Sequence, residues 1–293
     1  MLCLTPDAFS MLYDHKTIGP TLSAGIFLGE SQPLIRTEGL ELTWSVYRNQ
    51  FEMPWHTHDI TTLYVHVRGQ HTDICESGEF DQPALSVSLH PREVAHRSHI
   101  PQQCMAGLNV SLSRAWLECC GLSEAQIGHF AVQIHPLLCR SALSLLIRAT
   151  ASTAESKSDT SAEIESQTLE ILSFFGQESP TERSTPRWLR RAEEHLRATY
   201  RGPIRLAHIA KEAGVHPVHL ARTFRHWHHC TVLEFVHLLR LREVTGLLLY
   251  GMPAALAARE VGFADQAHMI RSFRRQAGVP PGALKSLAVL SKS

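Results

Sequence analysis

Three groups of residues in this chain have the type and spacing to do chemistry. In Pro54-Trp55-His56-Thr57-His58 two imidazoles are one residue apart, so on a strand both project from the same face. His96 adds a third imidazole, and three such donors suit a divalent Zn, Fe, Ni or Cu ion. The other two groups are the arginine-bearing stretches Leu206 to Arg225 and Ala254 to Arg274, which are degenerate copies of one another. Ala210 and Ala258 each stand four residues before a glycine, Gly214 and Gly262. Beyond the glycines, His219 and His268, Arg222 and Arg271, Phe224 and Phe273, and Arg225 and Arg274 match at a single offset of 49 residues. Before the glycines the offset is 48, so the second copy has a turn one residue longer.

Each copy makes physical sense as helix, turn, helix. The alanine lets two helices approach closely, and the glycine takes the left-handed conformation that ends the first. His216-Pro217 starts one second helix with Pro at its first position, and Asp265 caps the other. On those helices Leu220 and Phe224, and Met269 and Phe273, share an apolar face at i, i+4. Arg222 and Arg271 point elsewhere, toward a base edge or a phosphate. One stripe anchored in protein and another free to enter a groove is what a DNA-reading helix needs.

The elements that must position these residues fall into two regions. A length of 293 residues favours two domains. The net charge of zero conceals a division: Arg187 to Lys285 holds 16 Lys and Arg against 7 Asp and Glu, whereas residues 1–186 hold 11 against 21. The basic part is suited to a polyanion. Seven cysteines, odd in number and without a CxxC pair, argue against a disulfide framework. No apolar run is long enough to cross a bilayer, and the N-terminus, interrupted by Asp7, Asp14 and His15, does not read as a signal peptide, so a cytoplasmic protein without membrane contact is expected.

Residues from about 40 to 112 read as short strands (40–47, 62–67, 84–89 and 107–110), with turns at 76–79 and 90–92, forming a sandwich or small barrel. Two amphipathic helices follow at about 137–150 and 161–175, with Leu138, Leu145, Leu146, Ile164, Leu169 and Leu172 near helical spacing. They either cover the sheet or form a dimerisation surface. Gly176 to Pro186 has linker composition. A helix capped by Thr185 and running to about Thr199 comes next, and Thr231-Val-Leu-Glu234 forms a capping box for a long helix to about Leu249. The expected fold is therefore α+β: a β-barrel with a helical pair (1–175), a linker (176–186), and an all-α domain (187–293) with helix-turn-helix units at about 205–228 and 253–277.

Through GVHPVHLARTFR, RLREVTGLLL and VGFADQAHMIRSFRRQAGVPP, residues 186–285 resemble the AraC family of bacterial transcriptional regulators. That resemblance implies two units joined by a long helix and entering successive major grooves of double-stranded DNA. It also implies activation by contact with RNA polymerase, with repression as the alternative; a homodimer belongs to the dimerisation reading of the helical pair. It places base readers at Val218, Ala221 and Arg222, and at Gln266, Ala267, Ile270 and Arg271. His216 and Asp265, at the starts of the same helices, are also assigned to the DNA contact, and Arg225, Arg274 and Arg275 are assigned to phosphates. An Arg–guanine or Gln–adenine bidentate pair gives roughly 1–3 kcal/mol of discrimination. Two positions depart from the family: His229 replaces a helix-ending glycine, which Gly278 retains in the second unit, and Met269 replaces an aromatic.

The segments His56 to Gly69 and Pro91 to His96 resemble the two motifs of a cupin barrel, which AraC-type regulators often use as a sensor of a small-molecule effector. Here Thr62 or Leu63 replaces the expected carboxylate, and Glu93 replaces a glycine. The reading requires no cofactor. A divalent metal at His56, His58 and His96 is the one that the residues would accommodate. The alternative is a cupin metalloenzyme fused to a DNA-binding domain, which the missing carboxylate disfavours. No Walker loop, GxGxxG or GxSxG element is present.

Overall fold

The computed structural model describes residues 19–101, 104–151, 157–175 and 185–284. The leading segment with Cys3, residues 176–184 of the linker and Lys285 lie outside them.

Alternating apolar residues build two sheets that face one another as a barrel. Strands β1 (Thr21–Leu22), β4 (Phe51–His58), β9 (His96–Ile100), β6 (Gln70–Cys75) and β7 (Gly78–Pro83) form one, in that spatial order. The other runs β11 (Ala131–Gln133), β8 (Val87–His90), β5 (Thr61–Arg68), β10 (Met105–Leu112), β3 (Leu40–Tyr47) and β2 (Glu30–Arg36). The expected strands correspond to β3, β5, β8 and β10, except that 84–86 form a turn with Leu85 at φ 60°, so β8 starts only at Val87. These four are apolar enough to announce themselves, whereas β6, β7 and β9 (QHTDIC, GEFDQP and HRSHI) bury His71, Asp73, Gln82, His96 and Ser98. The turn expected at 76–79 is only Glu76-Ser77, because Gly78 already belongs to β7.

After the short helices α1 (Arg114–Cys119) and α2 (Glu124–Ile127), α3 (Pro136–Ala151) and α4 (Lys157–Leu172) pack as a pair. Leu138, Leu145 and Leu146 of α3 are fully buried in one core with Leu85, Val87 and Leu89 of the barrel. The buried stripe of α4 is Ile164, Thr168, Ile171 and Leu172; Leu169, expected in it, is 37% exposed because it lies a third of a turn off that face.

Six helices follow: α5 (Arg187–Thr199), α6 (Leu206–Ala213), α7 (Pro217–His228), α8 (Val232–Leu249), α9 (Ala254–Glu260) and α10 (Gln266–Ala277). The cap of α5 is Pro186, without a side-chain bond, rather than Thr185. Thr231 and Glu234 do form the capping box at the start of α8. Helix α8 is buried on two sides and serves two cores. Val232, Phe235, Val236 and Leu239 close a core with Leu189, Leu196, Ile209, Leu220 and Phe224. Leu238, Leu241, Val244 and Leu249 belong to a larger core that joins Ala258, Phe263, Met269 and Phe273 to α3, α4 and the barrel. Arg68, at the end of β5, lies 3.6 Å over the Tyr250 ring at the same junction.

Phe224 and Phe273 are each at most 1% exposed, one in each core. Truncation of either to Ala is expected to destabilise the chain by about 3–5 kcal/mol. Denaturant unfolding of the full chain measures this, and an unchanged midpoint would contradict the packing described.

Candidate nucleic-acid interface and histidine pocket

Each helix-turn-helix unit is set by a backbone residue with positive φ and a cap. Gly214 (φ 72°, ψ 31°) ends α6, and open space surrounds its missing side chain, so its role is conformational. Gly262 (φ 88°) is held twice over, since a Cβ there would lie 1.8 Å from the Arg201 carbonyl oxygen. Gly278 ends α10 at φ 73°. At the end of α7, His229 takes the same left-handed conformation (φ 51°, ψ 16°), so the first unit terminates as a glycine would make it. That substitution carries a strain of about 1 kcal/mol. The His216 side chain accepts from the Val218 N–H at 3.3 Å, and Asp265 Oδ1 accepts from the His268 N–H at 2.6 Å. Both are therefore engaged as helix caps.

Leu220 and Phe224 anchor α7, and Met269 and Phe273 anchor α10. Away from those stripes, Val218 (57% exposed), Arg222, Arg225, Gln266, Ala267, Arg271, Arg274 and Arg275 face solvent. Ala221 is half-buried, and Ile270 is half-buried against the larger core. The expected positions thus fall on one free face of each second helix, with Ile270 the least accessible. On α7 that face also carries His219 and His226, which line a shallow groove with His216, Val218, Arg222 and Thr223. His219 and Arg222 have counterparts in His268 and Arg271, whereas the position of His226 is Arg275 in the second copy.

Inside the barrel, β4 supplies His56 and His58, and β9 supplies His96, directly opposite His56 in the ladder. All three are buried, and one ring nitrogen from each lies within 4.8 Å of the others. His56 Nδ1 is 2.9 Å from the Pro54 carbonyl, and His96 Nδ1 is 3.2 Å from that of Val94. A carbonyl only accepts, so both Nδ1 atoms carry protons and both Nε2 atoms keep lone pairs for a ligand. Burial, reinforced by His96, pushes His56 down to about 3, and burial with its histidine neighbours holds His58 well below the ordinary range. The set therefore stays neutral, as metal donors must be.

Sequence reasoning missed the residues around this triad. His90 Nδ1 is 3.1 Å from His96 Nε2, and His90 Nε2 is 2.8 Å from Ser88 Oγ. Asp73 is fully buried, accepts from Gln82 and Ser98, and has His71 Nε2 at 3.4 Å. Burial opposes its charge, but His71, His90 and His96 outweigh it and keep the carboxyl below its usual range. The signal for His90 was its place at the end of an apolar strand, just before Pro91. Glu93 stands at φ 62°, holding the left-handed turn where the cupin motif has glycine. Thr62 lines the cavity where the family's carboxylate is expected. The free volume there is about 40 Å³.

Two such units joined by a buried helix define a DNA-binding protein of the helix-turn-helix class. Residues 209–286 match the family model described as a helix-turn-helix domain, which bears out the AraC-type resemblance over that region. ToxT from Vibrio cholerae is similar over 86% of this chain and 99% of its own, at 9% identity and a TM-score of 0.36. The C-terminal domain of AraT, a response regulator from Geobacillus stearothermophilus, is similar over 34% of this chain and 84% of its own (23% identity, TM-score 0.33). A cupin superfamily protein from Desulfitobacterium hafniense is similar over 28% and 74% (15% identity, TM-score 0.26). No curated protein matches the chain. Among the described residues no helix is long and apolar enough to cross a membrane.

Burial, then Arg275, Arg240 and His268, push His237 of α8 down to about 4, with Glu234 opposing; its Nδ1 lies 3.4 Å from Ser272 Oγ on α10. A histidine in the unfolded chain titrates near 6.5, so there the unfolded state binds the proton first. The stability contributed at this contact is whole above pH 6.5 and lost as the pH falls toward 4. His237→Gln should flatten the slope of Tm against pH in that interval; an unaltered slope would contradict the assignment.

Proposed function

We propose that this chain is an effector-responsive transcriptional activator that reads double-stranded DNA with both helix-turn-helix units. The observation that carries the reading is the pair of matched, exposed arginines, Arg222 and Arg271, on two anchored helices of a domain matching the helix-turn-helix family. Arg222 and Gln266 or Arg271 read base edges in the major groove, with Val218, Ala221, Ala267 and Ile270 meeting thymine methyls. Arg225, Arg274 and Arg275 hold phosphates and set register.

The barrel is the sensor. Its helix α3 packs on α10, so an effector that favours one arrangement of the barrel shifts how the second unit is presented. Contact with RNA polymerase and homodimerisation complete the proposal; the exposed Leu137 and Leu169 on the α3–α4 pair offer apolar surface for a second copy. His56, His58 and His96 hold a divalent metal when one is bound. The metalloenzyme reading would need an acid–base group beside the triad, and the nearest carboxylate, Asp73, is already engaged by Gln82, Ser98 and His71.

Replacing Arg222 or Arg271 with Ala in the full chain is expected to weaken binding to the preferred site by about 5- to 150-fold, the equivalent of roughly 1–3 kcal/mol per bidentate pair. Binding to random DNA should change far less. Titrations at one fixed salt concentration measure both, and an equal loss on the two DNAs would move these arginines to phosphate contacts.

A further inference from the structure

We infer that the first unit's hold on DNA extends beyond its helix pair onto α5, where Arg187 and Arg191 bind backbone phosphates along one flank of α7. The inference rests on the DNA reading proposed above and enlarges its contact surface.

Helix α5 is amphipathic, and both of its faces can be assigned. Leu189, Ala192 and Leu196 are buried in the core that also holds Leu220 and Phe224 of α7. The exposed side carries Arg187, Arg190 and Arg191. Among the described residues none of these three has an acidic partner, whereas Arg197, farther along, is engaged by Glu193. Because the apolar stripe is already covered by protein, α5 has no face to lay on a lipid surface. Its guanidinium groups are presented to a hydrated polyanion instead.

Placement decides which polyanion. Trp188 packs half-buried against the same core, and its ring centre lies 5.1 Å from that of His219 on α7. Trp188 therefore marks the side of α5 that meets α7. At 3.6 residues per turn, Arg191 lies about 60° around the helix from Trp188 and Arg187 about 100°, but Arg190 about 160°. Arg187 and Arg191, four residues apart, thus share the exposed quarter next to α7, and Arg190 stands on the far flank. Glu194, three residues beyond Arg191 and exposed, bounds the patch and confines it to the start of α5.

DNA geometry then brings phosphates to this place. A helix with its side chains is about 10–12 Å across and fills a major groove about 12 Å wide. With Val218 and Arg222 of α7 directed into the groove, a sugar-phosphate strand runs along each flank of the helix. Arg225 serves one strand. The other runs past His219 and His226 and, beyond Trp188, reaches Arg191 and Arg187. Guanidinium forks match phosphate oxygens bidentately. The second unit has no equivalent extension, since the helix preceding its pair is α8, buried in two cores, and α10 is flanked by α3.

The test compares the full chain with Arg187→Ala/Arg191→Ala and with Arg190→Ala, on a random-sequence duplex and on the duplex enriched from a randomised pool. Each phosphate contact contributes about 0.9 to the slope of log affinity against log salt, so the double variant should be shallower by about 1.8. The parent's advantage over it should accordingly shrink roughly tenfold between about 50 and 200 mM salt. The loss should be equal on both duplexes and leave the enriched sequence unchanged, the signature of phosphate rather than base contacts. Arg190→Ala should keep the parent's slope, and lysine at both 187 and 191 should restore most of it. All these positions are exposed, and circular dichroism checks that each variant is folded. An unaltered slope in the double variant, or an equal fall in Arg190→Ala, would overturn the inference while DNA reading stands. A parent chain that enriches no DNA sequence would instead overturn the DNA reading itself.

Discussion

The burial of helix α8 on both of its sides is the interaction on which the rest of the structure depends. Val232, Phe235, Val236 and Leu239 must be covered by the first helix-turn-helix unit, and Leu238, Leu241, Val244 and Leu249 by the second unit together with the barrel's helices. A helix with apolar residues on two sides cannot exist as an exposed spacer. It fixes the spacing of the two units and ties one of them to the barrel. The two reading helices are consequently held unequally: α7 rests on a core of its own, and α10 on one shared with α3 and the sheets. A change inside the barrel has a packed route to α10 through α3, and a polar one to the end of α7, where His135 Nε2 lies 3.4 Å from the His229 carbonyl oxygen.

The barrel presents the opposite physical situation. One side of its sheets meets α3 and α4 through leucine and valine, while the cavity collects His56, His58, His71, His90, His96 and Asp73. Buried imidazoles are tolerated because each that can be traced has a defined hydrogen-bonding role, anchored to a carbonyl, to Ser88 or to Asp73.

The helical half was legible in the sequence because its signals are local. Gly214, Gly262, Asp265 and the Thr231 capping box act within a few residues of themselves, and the repeat doubled the glycine and the helix start. The barrel was legible only where its strands are apolar. Strands β6 and β9 carry His71, Asp73, His96 and Ser98 inward, so their alternation runs against the usual apolar-in pattern, and the meeting of His90 with His96 follows from sheet pairing across the barrel. Substitutions at glycine positions were visible as departures, but not their outcome: His229 and Glu93 both adopt the positive φ that the replaced glycines would have supplied. The sharing of a core between α3 and α10 is a tertiary fact with no local trace.

The central claim, that one chain reads DNA with two units, is tested most directly by selecting the full chain against a randomised DNA pool at fixed, near-physiological salt and sequencing what is retained. The account predicts an enriched site with two short elements about one helical turn, roughly 10 base pairs, apart. Retention without enrichment would mean attraction to the backbone alone, and enrichment of a single element would mean that only one unit reads sequence; either result contradicts it.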